Sequence, residues 1–130
     1  MALHNQLLVN GYSDNPPVDE AFISKWMESL VEEIGMKIIK GPFTAYVTKE
    51  GNRGLTAIVM IETSHIAMHV WDEEDPAFVQ FDLYTCSTLP VEKVLKNLED
   101  TFGLHNYQSM VLERSSGFKV IDRDNWSVVS

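Results

Sequence analysis

Between residues 62 and 71 the chain reads Glu62-Thr63-Ser64-His65-Ile66-Ala67-Met68-His69-Val70-Trp71, and no other ten positions gather as many groups able to do chemistry. Ser64 offers a hydroxyl nucleophile, His65 and His69 offer imidazoles that exchange protons near neutral pH, and Trp71 offers an aromatic face. A thiol, Cys86, stands further along. Serine, histidine and cysteine together suggest acyl chemistry, but no Gly-x-Ser-x-Gly elbow surrounds Ser64 and nothing marks Cys86 as a protease nucleophile. Taken singly, each residue has an ordinary explanation: His69 as a hydrogen-bonded core histidine, Cys86 as a small buried hydrophobe, Ser64 as a turn residue. Only their combination points to a function.

Spacing decides what the two imidazoles can share. At i and i+4 of a helix they would occupy one face and could hold one metal ion. On a strand the same pair sits roughly 13 Å apart, too far for a single ion. His65, Ala67, His69 and Trp71 alternate with Ile66, Met68 and Val70, which is the two-residue period of a half-buried strand. The stretch is therefore expected to be a strand and to bind no metal. With one cysteine, an internal disulfide and a multi-cysteine zinc site are also excluded.

The elements that must hold this strand follow from pattern and punctuation. Leu7, Leu8 and Val9, closed by the turn-formers from Asn10 to Pro17, predict a strand over residues 6–12. From Asp19, a plausible N-cap, Phe22, Ile23, Trp26, Met27, Leu30, Val31 and Ile34 recur at three and four, and Gly35 can close the helix. Residues 37–48 are expected to be extended, with a bulge or edge at Gly41-Pro42. Residues 55–64 are expected to form a strand with Thr56, Ile58, Met60, Glu62 and Ser64 on one face, and residues 77–86 another. Pro90, then Val91, Val94, Leu95, Leu98 and Phe102, then Gly103, predict a second helix, and residues 106–114 a last strand. The order implies an α+β fold, an antiparallel sheet with two helices packed on one face. The tail from Ile121 to Ser130 carries no assignable pattern.

The 130 residues are the length of one domain, and 45% hydrophobic with 22% charged content is ordinary for a globular protein. No segment approaches the roughly 18 uninterrupted apolar residues of a membrane span. Met1-Ala2-Leu3-His4-Asn5 lacks the basic and apolar regions of a secretory signal, so a cytoplasmic location is expected. Ten basic against nineteen acidic residues give a formal charge of -9, which repels a phosphate backbone and attracts a small cation. No nucleic-acid or membrane partner is expected.

The ordered set Gly54-Leu55-Thr56, Ser64-His65-Ile66-Ala67-Met68-His69-Val70-Trp71 and Asp82-Leu83-Tyr84-Thr85-Cys86 resembles the prokaryotic S-adenosylmethionine decarboxylases. These are small pyruvoyl-dependent enzymes whose proenzyme cuts itself before a serine in a segment like Glu-Ser-His-x-x-x-His-Thr-Trp-Pro-Glu, with a later Asp-x-x-x-Cys. The likeness runs over residues 6–112. It implies that Ser64 attacks the carbonyl of Thr63, that the amide becomes an ester, and that β-elimination leaves a pyruvoyl group as the cofactor, with no metal. Thr56 and His69 are implied to assist, His69 as the base in elimination, a role suited to an imidazole. The pyruvoyl carbonyl would form a Schiff base with the substrate amine and serve as electron sink, and Cys86 would return a proton to the carbanion. Tyr46 and Phe43 match aromatics that stack on adenine and face the sulfonium, a contact of about 0.5 to 2 kcal/mol. Trp71, Glu62 and Glu73 complete the implied substrate-binding set, with Asp72, Glu74 and Asp75 equally readable as a solvated acidic turn.

The same resemblance implies a homodimer and a place in spermidine synthesis. Thr63 stands where the family usually has glutamate, and the carboxylate lies one position upstream at Glu62. Thr56 stands for serine, Ala57 for glycine, Val70 for threonine and Asp72 for proline, while Asp75 and Pro76 lengthen the following turn. The altered rim leaves two other readings: a pyruvoyl enzyme acting on another cationic amino acid, such as arginine or ornithine, and an uncleaved homologue that binds a nucleoside or a partner chain.

Overall fold

The computed structural model describes residues 4–62 and 64–126. Among them, strands β1 (Asn5–Ser13), β2 (Ile38–Val47), β3 (Gly54–Ile61), β4 (Ser64–Trp71), β5 (Ala77–Thr85), β6 (Leu104–Glu113) and β7 (Lys119–Trp126) form one sheet. Helix α1 (Glu20–Glu33) follows β1, and α2 (Val91–Phe102) follows β5. The sheet order is β2-β3-β4-β5-β1-β6-β7, and every neighbouring pair is antiparallel. The α+β class expected from the pattern is the one observed.

Each helix begins and ends where local chemistry directs. The Asp19 side chain accepts from the Ala21 amide at 2.9 Å, satisfying one of the donors left free at the start of α1. Pro90 precedes α2, and Gly103 closes it in the left-handed region at φ 61°, with its N–H on the Glu99 carbonyl at 2.9 Å. Ile23, Trp26, Met27, Leu30 and Val31 of α1 and Val94, Leu95, Leu98 and Phe102 of α2 are buried. Trp26 joins the two helices: its ring meets Phe102 edge-on at 4.9 Å, and its indole N–H donates to Asn97 Oδ1 at 2.8 Å.

Alternation gives the sheet two unlike faces. Leu7, Val9, Leu55, Ala57, Val59, Ile61, Ile66, Met68, Val70, Val79, Phe81 and Leu83 are buried in the same core as the helices. A fully buried side chain of this size contributes roughly 1.5 to 3 kcal/mol relative to exposure, so this face fixes the register of every central strand. The opposite, open face carries Thr56, His65, His69, Trp71, Phe78, Gln80, Asp82 and Tyr84, and it includes the exposed apolar side chains Phe43, Ile58, Met60 and Tyr12.

Three expectations are corrected. Strand β3 stops at Ile61, Glu62 lies in a turn, and Ser64 opens β4 opposite Ile61. Ser64 therefore takes the register of Ile61 and Ile66 rather than that of Thr56, Ile58 and Met60. Strand β5 ends at Thr85, so Cys86 stands just beyond it. The tail contains the edge strand β7, paired with β6, which the mixed polar sequence conceals because an edge strand needs little apolar surface. Residues 127–130 lie outside the described residues.

Candidate functional site

The sequence-predicted residues gather in two places on the sheet. At its rim, where β4 begins and β5 has just ended, Ser64 Oγ and Cys86 Sγ are 3.8 Å apart, within reach of a hydrogen bond. The Cys86 amide also donates to Ser64 Oγ, at 3.3 Å. Both residues are half-buried. The loop after β5 is held by buried Thr85, whose Oγ1 accepts from the Ser87 amide at 3.1 Å. Nearby the Glu62 amide donates to the Lys37 carbonyl at 3.2 Å, tying the β3–β4 turn to the start of β2. Thr63, whose carbonyl Ser64 is expected to attack, lies outside the described residues.

The second place is the open face near the far end of β4. Thr56 and His69 are register partners on β3 and β4, and Thr56 Oγ1 is 3.4 Å from His69 Nδ1. Their pairing depends on Gly54: a Cβ there would fall 1.7 Å from the Val70 carbonyl oxygen, and its φ of 150° is one that side chains rarely adopt. An aromatic row runs from His69 to Trp71 at 6.2 Å, to Phe78 at 5.5 Å and to Tyr12 at 5.8 Å. The Trp71 indole is fixed by donation to Asn52 Oδ1 at 2.8 Å. A groove of about 650 Å³ opens beside His69 across the same face, lined by Leu8, Asn10, Gln80, Asp82, Gln108 and Arg123, among others.

The substrate-binding candidates divide between the two faces. Phe43 pairs with Ile58 on the open face and is 54% exposed. Tyr46 pairs with Leu55 instead, so it leans toward the helix side, and its hydroxyl donates to Asp72 Oδ2 at 2.7 Å. That bond pushes the phenol above its usual pKa, burial adding to the effect. Arg53 completes the clamp, with Nε on Asp72 Oδ1 and Nη2 on the Asp72 carbonyl, both at 2.7 Å. The Arg53 amide donates to Glu73 Oε1 at 2.9 Å, so Glu73 is held rather than loose in a solvated turn. Glu62 is exposed in the β3–β4 turn.

The clamp residues Arg53 and Asp72 were not legible as site residues, because an arginine in a polar turn and an acidic residue in an acidic run look like solvated surface. Asp82 also gains importance. It was visible only as the first residue of Asp-x-x-x-Cys, and in the structure it sits on the open face with Gln6 Nε2 at 2.6 Å and His65 Nε2 at 3.3 Å.

Residues 5–115 match the family model described as S-adenosylmethionine decarboxylase. The chain belongs to the S-adenosylmethionine decarboxylase family. It is also 35% identical, over 107 residues, to a protein of Archaeoglobus fulgidus named S-adenosylmethionine decarboxylase proenzyme, the match covering 75% of this chain and 88% of that one. Family members are carboxy-lyases. His65 and His69 are four residues apart on one strand, and among the described residues no group of three His, Cys, Asp or Glu side chains is placed to hold a metal. No helix among them is long and apolar enough to cross a membrane.

Proposed function

We propose that this chain is a self-processing, cytoplasmic S-adenosylmethionine decarboxylase that supplies the aminopropyl donor for spermidine synthesis. The observation that carries the reading is the meeting of Ser64 with Cys86 at 3.8 Å, a cofactor precursor beside a proton donor. Ser64 Oγ attacks the Thr63 carbonyl, the Thr63–Ser64 amide becomes an ester, and removal of the Ser64 α-proton expels the Thr63 carboxylate. Water then releases the former serine nitrogen as ammonia and leaves a pyruvoyl group on the His65 nitrogen. Ser64 is half-buried and receives the Cys86 amide on its hydroxyl, surroundings that suit a small polar group.

When present, the pyruvoyl carbonyl supplies an electron sink for loss of carbon dioxide from an amino acid. The protein's residues do the rest. Cys86 holds the proton that replaces the departing carboxyl group, which a thiol can deliver near neutral pH. His69, hydrogen-bonded to Thr56, takes the α-proton during processing. Trp71 and Phe43 offer flat faces to the adenine and the sulfonium, Glu73 a held carboxylate to the nucleoside, and the charge of -9 favours a cationic substrate.

Ser64 and His69 lie five residues apart on β4, roughly 16 Å along a strand, so one chain does not bring the two together. A homodimer resolves this if the open faces meet, so that Thr56 and His69 of one copy complete the Ser64–Cys86 rim of the other. Exposed Phe43 (54%), Ile58 (43%), Met60 (45%) and Tyr12 (41%) are the apolar surface such a contact would cover.

Intact mass tests the reading. The purified chain should give two fragments dividing between residues 63 and 64, the second lacking the serine amine nitrogen, and Ser64→Ala should stay whole. A wild-type chain that remains full length sinks the proposal. Release of carbon dioxide from arginine or ornithine, and none from S-adenosylmethionine, would transfer the activity to that substrate.

A further inference from the structure

Self-cleavage cuts β4 loose at the point where the cofactor forms. Before it, Ser64 is tethered on both sides; afterwards the pyruvoyl group hangs on the nitrogen of His65, the first complete residue of a new chain end at the start of a strand. Strand ends fray unless something ties them down. Here the tie is visible in the side chain of His65.

His65 points to the open face, with its ring 5.7 Å from that of Tyr84, its register partner on β5. Its Nε2 lies 3.3 Å from Asp82 Oδ2. Asp82 is in turn fixed by Gln6 of β1, whose Nε2 donates to Oδ1 at 2.6 Å, and Gln6 Oε1 accepts from Arg114 Nη1 at 2.9 Å. Arg114 caps the Tyr84 ring at 4.8 Å, and His4 Nδ1 meets the Tyr84 hydroxyl at 2.9 Å. The chain of contacts crosses β4, β5 and β1 and ends just past β6, so it anchors the new terminus to three neighbours that cleavage leaves intact.

We propose that His65 is a positioning residue: through Asp82 and Gln6 it holds the cofactor-bearing chain end in register with Cys86 after cleavage. The inference rests on the self-processing reading above and assigns a role to a network for which processing itself has no need. An ångström of misplacement at a reacting centre is enough to lower a rate by roughly 10²-fold, so slack at this end would appear in turnover.

Asp82→Asn is the sharpest variant, because an asparagine has one acceptor oxygen where Asp82 uses two. It should cleave as completely as wild type by intact mass and bear as much carbonyl reactive toward a hydrazine, yet lose roughly 10- to 100-fold in kcat with little change in KM. His65→Leu should behave alike, while His65→Gln, which keeps a donor, should recover most of the loss. Hydrogen exchange gives a readout independent of turnover. The amides of residues 65–67 should exchange at least tenfold faster in cleaved Asp82→Asn than in cleaved wild type, with no such difference when both carry Ser64→Ala and stay whole. A cleaved Asp82→Asn protein with wild-type kcat and exchange overturns the proposal alone, as does equal exchange in the two backgrounds or an Asp82→Asn chain that fails to cleave. A wild-type chain that never cleaves overturns the processing reading and this inference with it.

Discussion

The two ends of β4 make a useful contrast. At its start, Ser64 is half-buried against a thiol and a backbone amide, in surroundings built from small neutral groups. At its far end, His69 is exposed, partnered by a hydroxyl, and bordered by an aromatic row and a clamp of Arg53, Asp72, Tyr46 and Glu73. The first setting suits a group that must be made once and kept from water; the second suits an imidazole that must exchange protons and meet a ligand. A paired strand is too stiff to bend one setting onto the other. In the proposed homodimer, cooperation between them falls to two copies of the chain, and that proposal rests on strand length as much as on exposed apolar surface.

Mixing two dead variants breaks or sharpens that contrast most strongly. Ser64→Ala and His69→Ala should each remain uncleaved alone, the latter stalled as an ester that hydroxylamine splits. Co-expressed, they should yield heterodimers in which one site has both defects and the other has none. Intact mass should then show cleavage in the His69→Ala chains of those heterodimers, and its absence would mean that each copy works by itself. A smaller effect is expected from Cys86→Ser at the rim: cleavage should proceed, whereas steady-state carbon dioxide release should drop by about 10² to 10⁴ in kcat, the span of general acid catalysis.

The smallest effect should come from the clamp. Tyr46→Phe removes the bond to Asp72 and should cost about 1 kcal/mol, read as a modest fall in melting temperature with cleavage unaffected. Because the folded phenol has a raised pKa, its contribution is present through neutral pH and is lost as the pH climbs beyond the ordinary tyrosine range. Thermal melts of wild type and variant should thus converge in strong alkali. A large loss of cleavage in Tyr46→Phe would join the two settings more tightly than their separation suggests.

Much of this architecture was legible from the chain. Both helices were readable because capping residues and a three-and-four apolar repeat act locally, and β4 because period-two alternation leaves no other way to bury Ile66, Met68 and Val70 together. The place of Ser64 was misread by one element. Residues 55–64 contain no Gly, Pro, Asn or Asp to punctuate them, so the end of β3 at Ile61 leaves no local signal. Strand β7 was missed because an edge strand shares its hydrogen bonds with a single neighbour and carries little apolar signal.

The sequence by itself determined which groups this protein has for chemistry, and that they lie on strands rather than on a metal-binding helix, since spacing and periodicity are properties of the chain alone. Only the tertiary structure decided which of them meet. It joins Ser64 to Cys86 across 22 positions, Thr56 to His69 across 13, and His65 to Gln6 through Asp82, and it keeps Ser64 from His69 although five residues separate them. Contacts between strands depend on register, and register is set by the core on the face of the sheet opposite Thr56, His65 and His69.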